Sequence, residues 1–453
     1  MSEKTVAAIS TPSGEGGIGV IRISGKEAIK IADTVFKAAN GISLCTMPGY
    51  SAAFGYVYDK EEQIDEAVAT VFLEPKSYTG ENVCEISCHG GQYVTSAVLR
   101  AVLAAGAQMA APGEFTKRAF LNGKLDLIKA ESVMGLISAK SREELRVQLA
   151  AKRGKTSEEI EKIEAALLEL SADFAAYSDY PDEDLPELSA DNFFRLINFA
   201  EAELGRLLTS FDSGKILREG VAAAIVGKPN VGKSTLMNML SREKRSIVTD
   251  IAGTTRDVIE NSVSFAGLNL ILADTAGIRQ TKDAVEEVGV ELAKERISSA
   301  QLILAVFDSS DELDSNDKEI LSLLSPDNTI IVLNKTDKQP KIDKAVFGGF
   351  KTVLISAKNG EGEKELENAV REITAADKIN PAAALLLSER QRDLVQKAHS
   401  AVTEAKNMLK SGFTIDAVEV CVEEALSTLY TLNGKRVTNE VADEVFRRFC
   451  VGK

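Results

Sequence analysis

The sequence predicts three folding units: an α+β N-terminal domain, an all-α helical domain, and an α/β domain of the phosphate-loop kind inserted into that helical domain. Three observations carry this. Along the 453 residues, short β-like runs give way to long helical stripes and then to strands alternating with helices. Helical stripes return on the far side of the alternating block. A glycine-rich loop follows the first apolar strand of that block and opens a helix.

At roughly 150 residues per domain, this length suggests about three domains. Apolar residues make up 44% and charged residues 27%, which excludes wholesale disorder and collagen-like repetition. The net charge is −15, so a nucleic-acid partner would need a local basic patch or a second protein. Five cysteines (Cys45, Cys84, Cys88, Cys421, Cys450) are too few and too irregular for a disulfide framework and point to a reducing compartment. The opening residues lack the pattern of a signal peptide, and no run of about 18 apolar residues occurs, so no membrane segment is expected and the cytoplasm is the default location.

The N-terminal domain is taken as 1–119. Residues 20–23, 67–73 and 83–88 read as strands, 11–17 as a turn, and 26–39 and 92–105 as helices. The first part of the helical domain is 120–215. Ile160, Ile163, Leu167, Leu170 and Phe174 recur at steps of three and four, as do Phe193, Ile197, Ala200, Leu204, Leu207 and Phe211, so each set lies along one face of a long helix. Between them, 179–186 carries two prolines and an acidic cluster and reads as a solvated loop rather than a cation site. The α/β block is 216–379, with short apolar strands at 221–226, 268–273, 302–307, 329–333 and 352–355; the helical patterns between most of them predict a parallel sheet. The second part of the helical domain, 380–453, has stripes at Val395, Ala398, Val402, Ala405 and Leu409 and at Val418, Val422, Ala425, Leu429 and Leu432. Insertion requires only that the ends of the inserted block lie close together.

Gly227, Lys228, Pro229, Asn230, Val231, Gly232, Lys233 and Ser234 fit G-x-x-x-x-G-K-[ST], and Thr235 continues into a helix. The glycines let backbone N–H groups turn inward around phosphate oxygens, and the helix start adds favourable partial charge. Lys233 would neutralise the β- and γ-phosphates, and the Ser234 hydroxyl would ligate Mg2+. Asp274, Thr275, Ala276 and Gly277 follow a strand: the Asp can hold Mg2+ through water, and Gly277 can offer its N–H to the γ-phosphate. Asn334, Lys335, Thr336 and Asp337 follow another. Asp337 can accept hydrogen bonds from guanine N1–H and the 2-amino group, a donor pair that adenine lacks, with Lys335 over the base plane. Ser356, Ala357 and Lys358 follow the last strand, where a backbone N–H can reach guanine O6. Between the first two elements lie Thr249, Asp250, Ile251, Ala252, Gly253, Thr254, Thr255, Arg256 and Asp257, with Thr255 the natural second Mg2+-ligating hydroxyl. The predicted fold is therefore an α/β P-loop GTPase domain inserted into an all-α helical domain, preceded by an α+β N-terminal domain.

One position departs from small signalling GTPases. Ile278 stands where they carry a Gln that orients water, and an apolar side chain cannot do this. Asn230 is a residue type that can ligate a monovalent cation, which beside the phosphates could replace an arginine finger electrostatically. Glu286 could orient water, or be a solvated helix residue. Cys84, Cys88 and His89 include two cysteines that share a strand face, but without a second ligand pair packing is the preferred reading over zinc.

The chain resembles the bacterial tRNA uridine-modifying GTPases of the MnmE (TrmE) family along essentially its whole length. The resemblance rests on the phosphate loop, on Gly253 to Asp257, on Asp274 to Gly277, on Arg22-Ile23-Ser24-Gly25, on the segment 112–126, and on the closing Phe449-Cys450-Val451-Gly452-Lys453, where the family usually has Ile in place of Val451. It implies GTP hydrolysis activated by K+, held by the Asn230 side chain and by backbone oxygens of Thr249, Ile251 and Thr254. It gives Glu286 the water-orienting role and Arg256 that of the switch arginine. It implies a constitutive homodimer made by an N-terminal domain that binds a tetrahydrofolate derivative (5-formyl or methylene form), with Arg22, Glu85, Lys124 and Lys453 as contacts. Cys450 matches a proposed reactive thiol near the folate. The family's partner is the FAD-dependent MnmG, with which it forms a heterotetramer acting on the wobble uridine of tRNA. Two further readings compete with direct participation in that chemistry: a GTP-dependent regulatory switch in RNA or ribosome assembly, and a helical scaffold with a vestigial GTPase domain.

Overall fold

The computed structural model describes residues 4–179, 190–241, 261–272, 297–447 and 449–453. Seven strands form the N-terminal sheet: β1 Val6–Ile9, β2 Gly16–Ser24, β3 Phe36–Ala38, β4 Ser51–Asp59, β5 Glu62–Phe72, β6 Val83–Gly90 and β7 Gln108–Met109. Their order is β3-β4-β5-β6-β2-β1-β7. Strand alternation sends Ile21 and Ile23, Val57, Ala69 and Val71, and Cys84 and Ile86 to one buried face. Helices Ala28–Val35 and Gln92–Ala104 pack on that face through residues such as Ala32, Val98 and Val102. Cys84 is fully buried in this core, where burial pushes its thiol pKa up. The helix expected over 26–39 stops at Val35, because Phe36 is extended and pairs as β3 with β4, its ring buried in the core.

The stripes predicted for the helical domain are core. Ile160, Ile163, Leu167, Leu170 and Phe174 are fully buried on helix Lys155–Asp179, and Val418, Val422, Ala425, Leu429 and Leu432 on Ile415–Asn433. Those two helices pack together, and Ala190–Glu219 packs on Glu389–Lys410. The bundle therefore joins chain segments from both sides of the inserted block. Of the proline-containing loop, 180–189 lie outside the described residues.

The inserted sheet comprises β8 Val221–Val226, β9 Asn261–Phe265, β10 Leu268–Leu272, β11 Leu302–Asp308, β12 Thr329–Asn334 and β13 Lys351–Leu354, in the order β13-β12-β11-β8-β10-β9. All neighbours are parallel except β9, which the sequence reading did not identify. It pairs antiparallel to β10 across Ala266 and Gly267, both at positive φ (56° and 78°), the conformation a two-residue hairpin turn needs. Helix Ala190–Glu219 runs directly into β8, and Val147 and Ala151 of helix Arg142–Lys152 are buried in the same core as Val221, Phe265, Leu268 and Leu385. The Glu143 N–H donates to the Gly267 carbonyl at 3.3 Å, seating the hairpin tip on that helix. No helix among the described residues is long and apolar enough to cross a membrane.

Candidate functional site

The phosphate loop links β8 to helix Lys233–Leu240. Its backbone follows the loop's requirements: Gly227 and Gly232 lie at φ 145° and 99°, and Asn230 is left-handed at φ 65°. A Cβ on Gly227 would stand 2.3 Å from the Val306 carbonyl, and one on Gly232 would stand 2.2 Å from Asn334 Nδ2. Glycine is therefore needed for close packing as well as for conformation. Lys233 Nζ donates to the carbonyls of Gly227 and Lys228 at 2.7 Å each, which keeps the ammonium over the loop. Ser234 and Thr235 remain exposed in the first helical turn, and Val231 is buried beneath it.

The guanine-type segments join this loop from neighbouring strand ends. Asn334 is a buried bracket: Nδ2 donates to the Val231 carbonyl at 2.9 Å, and Oδ1 accepts from the Ala357 N–H at 3.0 Å. One side chain thereby ties the phosphate loop to the loops that carry Asp337 and Ala357. Asp337 is exposed, with Oδ1 accepting from the Ser356 hydroxyl at 2.8 Å. That bond, ahead of smaller contributions from Lys358 and Lys338, holds the carboxyl below its ordinary pKa, so it is an anion at neutral pH. An exposed, oriented carboxylate can accept two parallel N–H donors, as Asp337 was expected to do. Lys335, at φ 65°, sends its ammonium to the Asn230 carbonyl at 2.7 Å and to Asp308 Oδ2 at 2.6 Å.

Sequence reasoning missed two side-chain partners here. Asp308 is one. The other is the Asp314–Asp317 pair, which makes the capping box of helix Ser315–Ser322 and receives Lys228 Nζ at 2.9 and 2.8 Å. Neither has a local sequence signal, since each partner lies tens of residues away. Thr249, Asp250, Ile251, Ala252, Gly253, Thr254, Thr255, Arg256, Asp274, Thr275, Ala276, Gly277 and Glu286 lie outside the described residues.

A second cluster forms where the chain's last residues reach the N-terminal sheet. Phe446 and Phe449 are buried with Leu127 and Ala130, which brings the tail to the start of helix Glu114–Leu121. There the Gly113 N–H donates to the Cys450 carbonyl at 3.3 Å, and the Phe115 N–H to the Lys453 oxygen at 3.2 Å. Gly452, at φ 91°, presents its carbonyl to Ser10 Oγ at 3.0 Å and Arg22 Nη1 at 3.3 Å. Arg22 Nε also donates to Glu85 Oε1 at 2.8 Å, and its guanidinium lies 5.5 Å from the ring centres of both Tyr78 and Phe115. Burial, then the nearby Arg22 charge, lowers the Lys453 ammonium pKa. Arg22, Glu85 and Lys453 thus meet, with Cys450 exposed beside them. Lys124 is tied to the Pro75 carbonyl at 3.0 Å. The cations suit a carboxylate-bearing ligand and Glu85 a face of N–H donors. Ser10 and Tyr78 belong to the cluster without having been singled out from sequence.

The comparisons with known proteins cover both regions. The family model described as the GTP-binding protein TrmE N-terminus matches residues 5–124, and the MnmE helical domain model matches 127–450. A tRNA modification GTPase MnmE of Carboxydothermus hydrogenoformans is 42% identical over the whole of both chains, and one of Lactococcus lactis subsp. cremoris is 41% identical over 99% of this chain and 98% of its own. Among solved structures, the G domain of the T. maritima FeoB iron transporter aligns with 34% of this chain and 98% of its own at 26% identity, with a TM-score of 0.25. From the family's helical-domain model and these full-length relatives it follows that the chain belongs to the MnmE family of tRNA modification GTPases.

Proposed function

We propose that the chain is a potassium-activated GTPase that, with the FAD-dependent partner MnmG, adds a carboxymethylaminomethyl or aminomethyl group to the wobble uridine of certain tRNAs. The observation that carries the reading is the Asp337 carboxylate, exposed and oriented by Ser356, bracketed through Asn334 to a phosphate loop whose glycines admit no Cβ. Backbone N–H groups of 231–235 and the Lys233 ammonium hold the phosphates. Ser234 and Thr255 hold Mg2+, and Asp274 holds it through water. The Asn230 side chain, with backbone oxygens of Thr249, Ile251 and Thr254, holds K+; the exposure of Asn230 on the loop is consistent with this. Glu286 orients the attacking water, Arg256 acts in the switch segment, and Thr275, Ala276 and Gly277 border the γ-phosphate. Concentrated positive charge beside the phosphates does the electrostatic work of an arginine finger, while Glu286 takes the water-orienting role that Ile278 cannot fill.

A tetrahydrofolate derivative (5-formyl or methylene form), when bound, supplies the one-carbon unit. Arg22, Lys124 and Lys453 are the cations for its glutamyl carboxylates, and Glu85 is the acceptor for its pterin N–H groups. Cys450 is held at the same place by the bonds of the tail. The reading includes a homodimer through the N-terminal domain, a heterotetramer with MnmG, a cytoplasmic location, and domain limits at 119/120, 215/216 and 379/380.

The test measures GTP turnover in KCl against NaCl, together with nucleoside analysis of tRNA from a deletion strain carrying this chain. Sodium should slow turnover by about tenfold or more, since it is too small for a loop shaped around a larger ion. Equal rates in both salts would remove the potassium claim. Turnover without restored wobble modification would favour the regulatory-switch reading.

A further inference from the structure

At the nucleotide end the Lys335 ammonium is held between the Asp308 carboxylate and the Asn230 carbonyl, and of these three residues only Asp308 lies beyond the sequence motifs. It ends β11 in register with Asn334, the last residue of β12, so its side chain emerges beside the base-binding loop. Its two oxygens divide the work. Oδ1 accepts from the Ser310 N–H at 3.0 Å and the Ser310 hydroxyl at 2.7 Å, closing the turn after the strand. Oδ2 takes the Lys335 ammonium at 2.6 Å. The pair is mostly out of water, at 14% exposure for the Asp308 side chain and 26% for that of Lys335. Burial alone would push the Asp308 carboxyl up, but the bonds from Lys335 and Ser310 hold it below the ordinary carboxylate range.

A lysine stem is four flexible carbons, and flexibility lost on binding costs affinity. A stem that must lie flat beneath a purine therefore binds best if its far end is already fixed. The Asn230 carbonyl is a neutral acceptor and holds an ammonium modestly; a carboxylate at 2.6 Å adds a charge-assisted bond. The clamp also ties together two non-glycine residues at φ 65°, Asn230 and Lys335, so that the base end and the phosphate end share one fixed point.

We propose that Asp308 is a positioning residue for guanine-nucleotide binding: without touching the nucleotide, it pins the Lys335 ammonium against Asn230 and so presents the Lys335 stem as a preformed platform for the purine. This places a determinant of affinity on a strand that carries no nucleotide motif. Its effect falls on GTP and GDP alike, because the platform meets the base and not the γ-phosphate.

The experiment uses the full chain with fluorescent GDP and a non-hydrolysable GTP analogue, plus steady-state GTP turnover. Asp308→Asn should raise both Kd values by about tenfold, raise KM with them, and leave kcat at saturating GTP within about twofold. Ser310→Ala removes the turn's hydroxyl and spares Lys335, and should leave both Kd values within about twofold. Lys335→Met keeps an apolar stem and removes the ammonium, and should match Asp308→Asn; combining the two should add nothing to either alone. Equal losses from Ser310→Ala and Asp308→Asn, or multiplying losses in the double variant, would overturn the proposal. If Asp308→Asn does not fold, Lys335→Met decides alone: wild-type affinity in that variant overturns it.

Discussion

The two clusters are assembled in opposite ways. The nucleotide end is made of contiguous loops at strand ends, brought together by one buried bracket, Asn334, which reaches Val231 and Ala357. The tail cluster is made of single residues gathered from the N-terminal domain and the last residues of the chain; Arg22 and Gly452 are 430 positions apart. A site of contiguous loops carries its chemistry in each loop, so damage to one loop should remain local. A site of gathered residues depends on every element that gathers them, so damage anywhere along the tail should dismantle it. Lys233→Ala and Gly452→Ala separate those two behaviours.

The largest effect should follow Lys233→Ala. It removes the ammonium that the proposed function sets against the phosphates, and GTP turnover should fall by about a hundredfold or more while the thermal midpoint stays in place. A large drop in that midpoint would mean the loop is not local in its effects. Asp337→Asn comes next. An amide cannot accept both guanine donors but can offer an N–H to the 2-oxo group of xanthine. GTP affinity should weaken by about a hundredfold and xanthosine triphosphate should gain, read by competition binding. Unchanged preference would remove the carboxylate from base recognition.

Gly452→Ala addresses the other cluster. The residue sits at φ 91°, and its added Cβ would meet the Ile9 carbonyl at 2.2 Å. Strain of about 1–3 kcal/mol should release the tail. Protease sensitivity at the C-terminus should rise and wobble modification should fall, while GTP turnover stays within about twofold. Parallel loss of both activities would show that the clusters are not separable. The smallest effect concerns His89, exposed at the end of β6. The hydrogen bond to Asp65, at 2.7 Å, raises its pKa above the ordinary 6.5. A raised folded-state pKa gives stability that is fully present below about pH 6.5 and is lost as pH rises through the folded value. NMR titration should show the His89 midpoint dropping in Asp65→Asn, with nucleotide affinity unaffected.

The same contrast explains what could be read in advance. Buried stripes such as Ile160 to Phe174 were legible because helical period and burial coincide, and the nucleotide loops because their chemistry is written at fixed spacing. β4 was not legible: its inward residues Ala53, Gly55 and Val57 are small, so the alternation carries little hydropathy. β9 was missed because its turn is Ala266-Gly267 rather than a stronger hairpin dipeptide. The period over 26–39 hid a switch to an extended chain at Phe36, decided by pairing with β4. Ser10 and Asp308 lay beyond reach because their meaning comes from partners that only the folded chain supplies. Arg22, Glu85 and Lys453 were grouped by family resemblance and not by spacing, and the folded chain brings them together.

The helical bundle draws its halves from either side of the inserted sheet, and this sets a timetable during synthesis. Helices Lys155–Asp179 and Ala190–Glu219 emerge long before their partners Ile415–Asn433 and Glu389–Lys410. At translation speeds of about 5–20 residues per second, the nascent first half must wait roughly ten to fifty seconds with its apolar faces incompletely covered. During that wait the inserted sheet can complete itself, since its own strands are then all available. The waiting helices are thus the part of the newborn chain that most needs shelter from aggregation, and chaperone contacts should concentrate there.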